Sequence, residues 1–231
     1  MIEQAPPDID EYIQPSDSAL LLTHLTNLIV SRFELDNGPD GDPRSFSIRL
    51  EFSENDVFED TVLEKKFWHR RAKDGWTGLV SEPVNIRWKK GKDLTNGLLG
   101  LVCKIWEEEQ KQGQGANDTE SEDRKLLKKK IQTTGLGGLS FFAWFGYIGR
   151  RVSAEENKAA VAKEKERRKL RAAGKEVPPE YEDESMDEED DEDDEDDLET
   201  FQDGDELAIC IAEDLWPGAL KYFSAYFPPS T

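Results

Sequence analysis

SFSIRLEF, residues 45–52, is the stretch that decides the fold. Phe46, Ile48, Leu50 and Phe52 fall to one side and Ser47, Arg49 and Glu51 to the other, the two-residue period of a strand with one covered face. Downstream, the acidic loop Ser53–Asp60 carries Glu54, Asp56, Glu59 and Asp60 around Phe58. A second strand then runs from Thr61 to about His69, with Phe67 and Trp68 on opposite faces. Beyond a break at Trp76-Thr77-Gly78, Val84, Ile86 and Trp88 alternate with Asn85, Arg87 and Lys89 and predict the last strand of a four-stranded meander. Upstream, the turn-rich Asn37–Pro43 reverses the chain. Before it come a strand over Thr26–Leu35 and a short helix containing Leu20, Leu21, Leu22 and Leu25. Pro15-Ser16-Asp17 opens that helix, with Ser16 as its N-cap.

The remaining chain supplies helices, so the class is α+β, an antiparallel sheet packed over helices. Leu98, Leu101, Val102, Ile105 and Trp106 recur at three- and four-residue spacings and predict a helix over Leu98–Lys111. Gly113–Ser121 is a loop, and the basic RKLLKKK of Arg124–Lys130 reads equally as a solvated helix end or as an import signal or phosphate-contacting patch. LSFFAWFGYIG, residues 139–149, is the densest aromatic stretch and belongs to the core. Ser153 and Glu156 form a capping box that opens a helix reaching about Ala173. Charge and alanine surround that helix, which predicts an exposed projection with eight bases against four acids between Glu155 and Lys175. Leu207, Cys210, Ile211 and Leu215 share a face of a further helix. Pro217 starts another, with Trp216, Leu220, Tyr222, Phe223 and Phe227 as its apolar anchor.

Charge is distributed very unevenly. The 231 residues hold 51 acids and 30 bases, and eighteen of the acids but none of the bases lie between Glu180 and Asp205. Without that segment the balance is 33 to 30, so most of the net charge of −21 is local. Asp187, Glu188, Glu189, Asp190, Asp191, Glu192, Asp193, Asp194, Glu195, Asp196 and Asp197 are acidic without interruption. Adjacent carboxylates repel one another and have nothing to bury, which predicts a disordered, solvated insertion held at both ends near one surface of the folded part. A tethered polyanion suits a strongly basic partner through long-ranged, salt-weakened attraction. A solubilising role is the plainer alternative.

Other chemistry finds little support. Cys103 and Cys210 lack metal-ligand or redox spacing, which fits a reducing compartment. His24 and His69 stand far apart, and no nucleophile elbow, phosphate loop or zinc helix motif occurs. No enzyme, cofactor or metal site is expected.

Three stretches in order resemble the nucleosome assembly protein family, in its SET-like branch. SFSIRLEFSENDVFEDTVLEKKFW (45–68) is similar to the family's strand, acidic loop and next strand, with Val57 where an aromatic is more usual. LSFFAWF (139–145) and EDLWPGALKYF (213–223) are similar to two further family segments, and the acidic run lies between them. The resemblance implies an earmuff domain and a nuclear or cytoplasmic histone chaperone that promotes nucleosome assembly and disassembly. The alternative it offers is a SET-like regulator that inhibits protein phosphatase 2A or masks histones from acetylation. Its expected partners are core histones, one or both pairs. Candidate contacts are Glu51, Glu54, Asp56, Phe58, Glu59, Asp60, Glu213 and Asp214 on the folded part, with the Asp187–Asp197 run. Family members dimerise through a long N-terminal helix, and none is legible before Ser16. The organisation is then an entry loop (1–15), the earmuff (16–150), a basic helix (151–176), the acidic segment (177–204) and helices that complete the earmuff (205–231).

Overall fold

Pro15 opens the first helix because it needs no N–H donor at that position. This computed structural model describes residues 14–112, 121–134, 139–178 and 199–226. In chain order they form α1 (Pro15–His24), β1 (Leu25–Ser31), β2 (Phe46–Phe52), β3 (Val62–Arg71), β4 (Thr77–Ser81), α2 (Leu98–Gln112) and α3 (Glu122–Thr134). After a 3-10 segment (Phe141–Gly146) come α4 (Ala154–Ala172), α5 (Gly204–Ile209), running into a π turn (Cys210–Leu215), and α6 (Ala219–Tyr226). The strands make one antiparallel sheet in the order β1-β2-β3-β4, the expected meander, with helices packed against it.

The face read from residues 45–52 is the buried one. Phe46, Ile48, Leu50 and Phe52 are all buried, and the β2–β3 register sets Leu50 against Leu63 and Phe46 against Phe67. The aromatic stretch lies beneath them. Phe67 stacks on Trp144 with centroids 5.6 Å apart, and Trp144 donates its indole N–H to Gly204 O at 2.8 Å. Gly204 permits that approach, since a Cβ there would stand 2.3 Å from the Tyr147 ring. From α2, Leu98, Leu99, Val102 and Ile105 complete the core.

Four local expectations are corrected. Gln14, not Ser16, is the N-cap of α1. Asp17 is fully buried and accepts from Ser140 Oγ (3.0 Å) and Phe141 N (2.7 Å), so α1 is tied to the aromatic segment. The first strand ends at Ser31, and Phe33–Asp40 folds as a 3-10 turn with Gly38 at φ 74°. The fourth strand is Thr77–Ser81 rather than 84–88. Ser81 N bonds Ile148 O and Val84 N bonds Phe145 O, so the chain past Ser81 leaves the ladder for the aromatic segment. Pro83 has no N–H with which to continue it. At the C-terminal end, Leu215, Trp216, Leu220 and Tyr222 are exposed, and Ala208, Ile211 and Ala212 are the buried positions. Trp216 N reaches back to Ile211 O, and this wide turn rotates the following residues off the face that α5 had set.

The capping box holds. Ser153 Oγ accepts from Glu156 N at 3.0 Å. Helix α4 is nevertheless seated along one side on β3. Ala160 is buried, Asn157 Oδ1 accepts from Arg71 N, and the Glu164 carboxylate lies 3.8 Å from Arg71. It is not the free projection its composition predicts.

Candidate functional site

The loop between β2 and β3 is built on a buried asparagine. Asn55 Oδ1 accepts from both Val57 N and Phe58 N at 2.9 Å, and its Nδ2 donates to Ser53 O. This turn lets the chain reverse without a glycine. It also drives the Phe58 ring inward, edge-on to Phe52, Trp88 and Phe142. Phe58 is 1% exposed, so the expectation of a surface aromatic is wrong. It is a core anchor, because bonds from its neighbours face it toward the 86–89 segment. Among them, Glu59 N donates to Arg87 O, Lys89 N to Val57 O and Lys89 Nζ to Asn55 O at 2.6 Å.

The acids divide into committed and uncommitted groups. Asp60 accepts from Arg87 Nε and Arg87 N, each at 2.7 Å. Glu51 meets Arg49 at 2.9 Å and accepts from Asn27. Glu54, Asp56 and Glu59 are exposed and have no ion pair among the described residues. A firmly held turn thus presents three solvated carboxylates, with Arg87 and Lys89 as the nearest cations bonded to it.

Glu213 and Asp214 are not part of this cluster. Glu213 lies 3.6 Å from Arg32, just past the end of β1, while the loop joins the start of β1 through Ser53 N and His24 O. The seven-residue strand separates them by about 20 Å. Asp214 accepts from Tyr222 Oη at 2.6 Å. The Asp187–Asp197 candidates lie outside the described residues.

What the sequence reading missed is the footing of the acidic segment. Glu199, the first described residue after the Asp187–Asp197 run, is half-buried, with its carboxylate enclosed. Its carboxylate accepts from Ile148 N (3.1 Å), Gly149 N (3.0 Å) and Phe201 N (3.2 Å). On the same 145–149 stretch, the fully buried Lys65 donates to Phe145 O (3.1 Å) and Tyr147 O (2.8 Å), and also to Glu82 O (3.0 Å). Burial pushes Lys65 down to about 7, opposed by the Glu199 charge, and pushes Glu199 up against the three amides that favour its anion. On the other side of the segment the chain arrives from α4, a helix about 27 Å long.

A cleft of ≈ 390 Å³ opens between β3–β4 and the ends of α2 and α4. Arg70 lies over Trp68 and Arg151 over Trp106, and Glu109 holds Arg151 and Arg124. Arg150, also on its wall, pairs with Asp74 at 2.6 Å, and no constellation for catalysis is assembled there. Among the described residues, no group of three or more histidine, cysteine or carboxylate side chains is placed to hold a metal ion. No helix of the described residues is long and apolar enough to cross a membrane.

Compared with known proteins, residues 4–225 match the family model described as nucleosome assembly protein. A curated Schizosaccharomyces pombe protein, described as a nucleosome assembly protein, is 36% identical over 104 residues, 41% of this chain and 40% of that relative. The match therefore spans about two fifths of the relative's length. Among solved structures, Ccp1 is 25% identical with a TM-score of 0.49, covering 100% of this chain and 74% of that one. The Vps75 histone chaperone is 22% identical with a TM-score of 0.49, covering 97% and 74%.

Proposed function

Since the chain belongs to the nucleosome assembly protein family, we propose that it is a histone chaperone whose firmly held acidic turn and charged insertion jointly cover the basic surface of core histones. The observation that carries this reading is the turn itself. Glu54, Asp56 and Glu59 are solvated while Asn55, Phe58 and Lys89 fix the backbone beneath them. Carboxylates on a fixed backbone lose little freedom when a cation meets them. The Asp187–Asp197 run adds many further charges of the same sign.

Exposed ion pairs contribute only about 0–1 kcal/mol each. Affinity built from many of them forms fast, weakens with salt and releases without one rate-limiting contact. That suits a protein that shields histones from premature DNA contact and then hands them over. The reaction is exchange between partners and needs no covalent step.

The test compares the parent protein, Glu54→Gln/Asp56→Asn/Glu59→Gln and a variant lacking residues 180–197, titrated against each core-histone pair at two salt concentrations. Both variants are expected to bind more weakly and with a shallower salt dependence. Unchanged affinity and slope in both would remove the proposal. Capture of a phosphatase catalytic subunit in place of histones would favour the regulator instead.

A further inference from the structure

Helix α4 sorts its charges by side. Glu164 is turned inward, its side chain 15% exposed, and is held by Arg71, Arg167 and Arg168. Glu156 accepts from Lys73 N, and Glu166 pairs with Lys169 at 3.0 Å. The remaining acids, Glu155 and Glu176, stand at the two ends of the exposed face. Outward, Lys158, Lys165 and Lys169 fall on one line of the helix, with Ala162 and Ala172 between and beyond them. Arg168, 77% exposed, flanks that line, and the exposed Arg171 and Lys175 extend the basic surface. Lys158 and Lys165 have no ion pair among the described residues.

The line from Lys158 to Lys169 is about 17 Å long, the length of roughly five base pairs on one strand of a duplex. It lies at the end of the β2–β3 hairpin opposite the acidic turn. Helix α4 grips Arg71, the last residue of β3, whereas the turn precedes Val62, so the ten-residue strand sets the two apart by about 30 Å.

From this segregation we infer that the outer face of α4 is a binding surface for the phosphate backbone of duplex DNA, independent of base sequence. The face has no large apolar side chain, only alanine and the Lys169-paired Glu166 between cations. A protein partner lacks the buried aromatic or aliphatic anchor on which such interfaces depend. A regular line of phosphates needs none, because counterion release drives its association. Small alanines let the helix approach the backbone closely. The inference uses none of the carboxylates of the histone reading, and the acidic turn of that reading lies at the opposite end of the sheet.

The experiment follows a short fluorescent duplex by anisotropy across a salt series. It uses the parent chain, Lys158→Ala/Lys165→Ala/Lys169→Ala, and both proteins again without residues 180–197, which removes the chain's own competing polyanion. Alanine preserves helix propensity, and circular dichroism checks that α4 remains. The triple substitution is expected to lower affinity at low salt about tenfold or more and to flatten the slope of log affinity against log salt by about 2–3. Its histone affinity is expected to stay at the parent value, so failure here is distinguishable from failure of the chaperone proposal. Absence of duplex binding in both the complete and shortened chains overturns the inference. So does a salt slope that the three alanines leave unchanged. Tighter binding to poly-glutamate than to duplex through the same three lysines would overturn it in favour of an acidic protein partner.

Discussion

Replacing Lys65 by methionine tests the buried clasp on the 145–149 stretch. Methionine keeps most of the volume of the stem and removes the ammonium. Phe145 O would retain its bond from Val84 N, but Tyr147 O would lose the donor that holds it, and Glu82 O would keep only a long contact from Ser81 Oγ at 3.4 Å. Two carbonyls left short of a donor cost about 1–3 kcal/mol each. Glu199 would also lose its buried counter-charge. We therefore expect Lys65→Met to lose about 2–6 kcal/mol, a large fraction of the roughly 5–15 kcal/mol by which a domain is stable. Urea unfolding followed by tryptophan fluorescence measures it, since Trp144 lies beneath this strand. Glu199→Gln alone keeps an acceptor for the amides of Ile148 and Gly149. The double variant is then expected to lose less than the sum of the singles, by about 1–3 kcal/mol. A loss under about 1 kcal/mol for Lys65→Met, or strict additivity, would show that the clasp is not what holds this stretch.

Two further outcomes follow from neighbouring groups. Lys65 releases its proton near 7 in the folded chain but only near 10.5 when unfolded, so the unfolded state binds more protons between those values and this group makes stability rise with pH. Between pH of about 7.5 and 8.5, below the range in which the thiols titrate, the parent should gain up to about 1.4 kcal/mol per pH unit relative to Lys65→Met; parallel curves would refute this. Phe58→Ala should cost about 3–5 kcal/mol in the same unfolding assay and weaken histone binding through the turn, whereas a variant that lost affinity at full stability would return Phe58 to the surface.

Sequence pattern revealed what depends on repetition. β2 was legible because its apolar and polar residues alternate strictly in sequence, and α2 because one apolar stripe packs on α3 and the aromatic segment. β4 was not, since Leu79 packs into the main core while Val80 packs with Ala72 and Val152 on the other face. A strand covered on both sides shows no alternation, while the alternation at 84–88 arises from an irregular run, with Trp88 bridged to Phe58. Lys65 sits in phase with Leu63 and Phe67, a placement that the period itself implied. Two of the carbonyls that make it tolerable are some eighty residues away and the third is 17 residues away, and no local pattern reports them. For the same reason the acidic turn was visible as composition, while the split between engaged Asp60 and unengaged Glu54, Asp56 and Glu59 depended on where Arg87 lies. Phe58 looked exposed because its neighbours are charged, and only the Asn55 turn directs its ring inward.

Glu199 has a mechanical consequence. A bound cargo that tugs on the chain just ahead of this residue loads a carboxylate moored by three amides, two of them in the stretch that Lys65 grips from its other side. Force arriving there spreads into the aromatic floor and the sheet above it before it can unwind α5. The end of the molecule that follows the acidic run is thereby moored to the core and not to α5 alone.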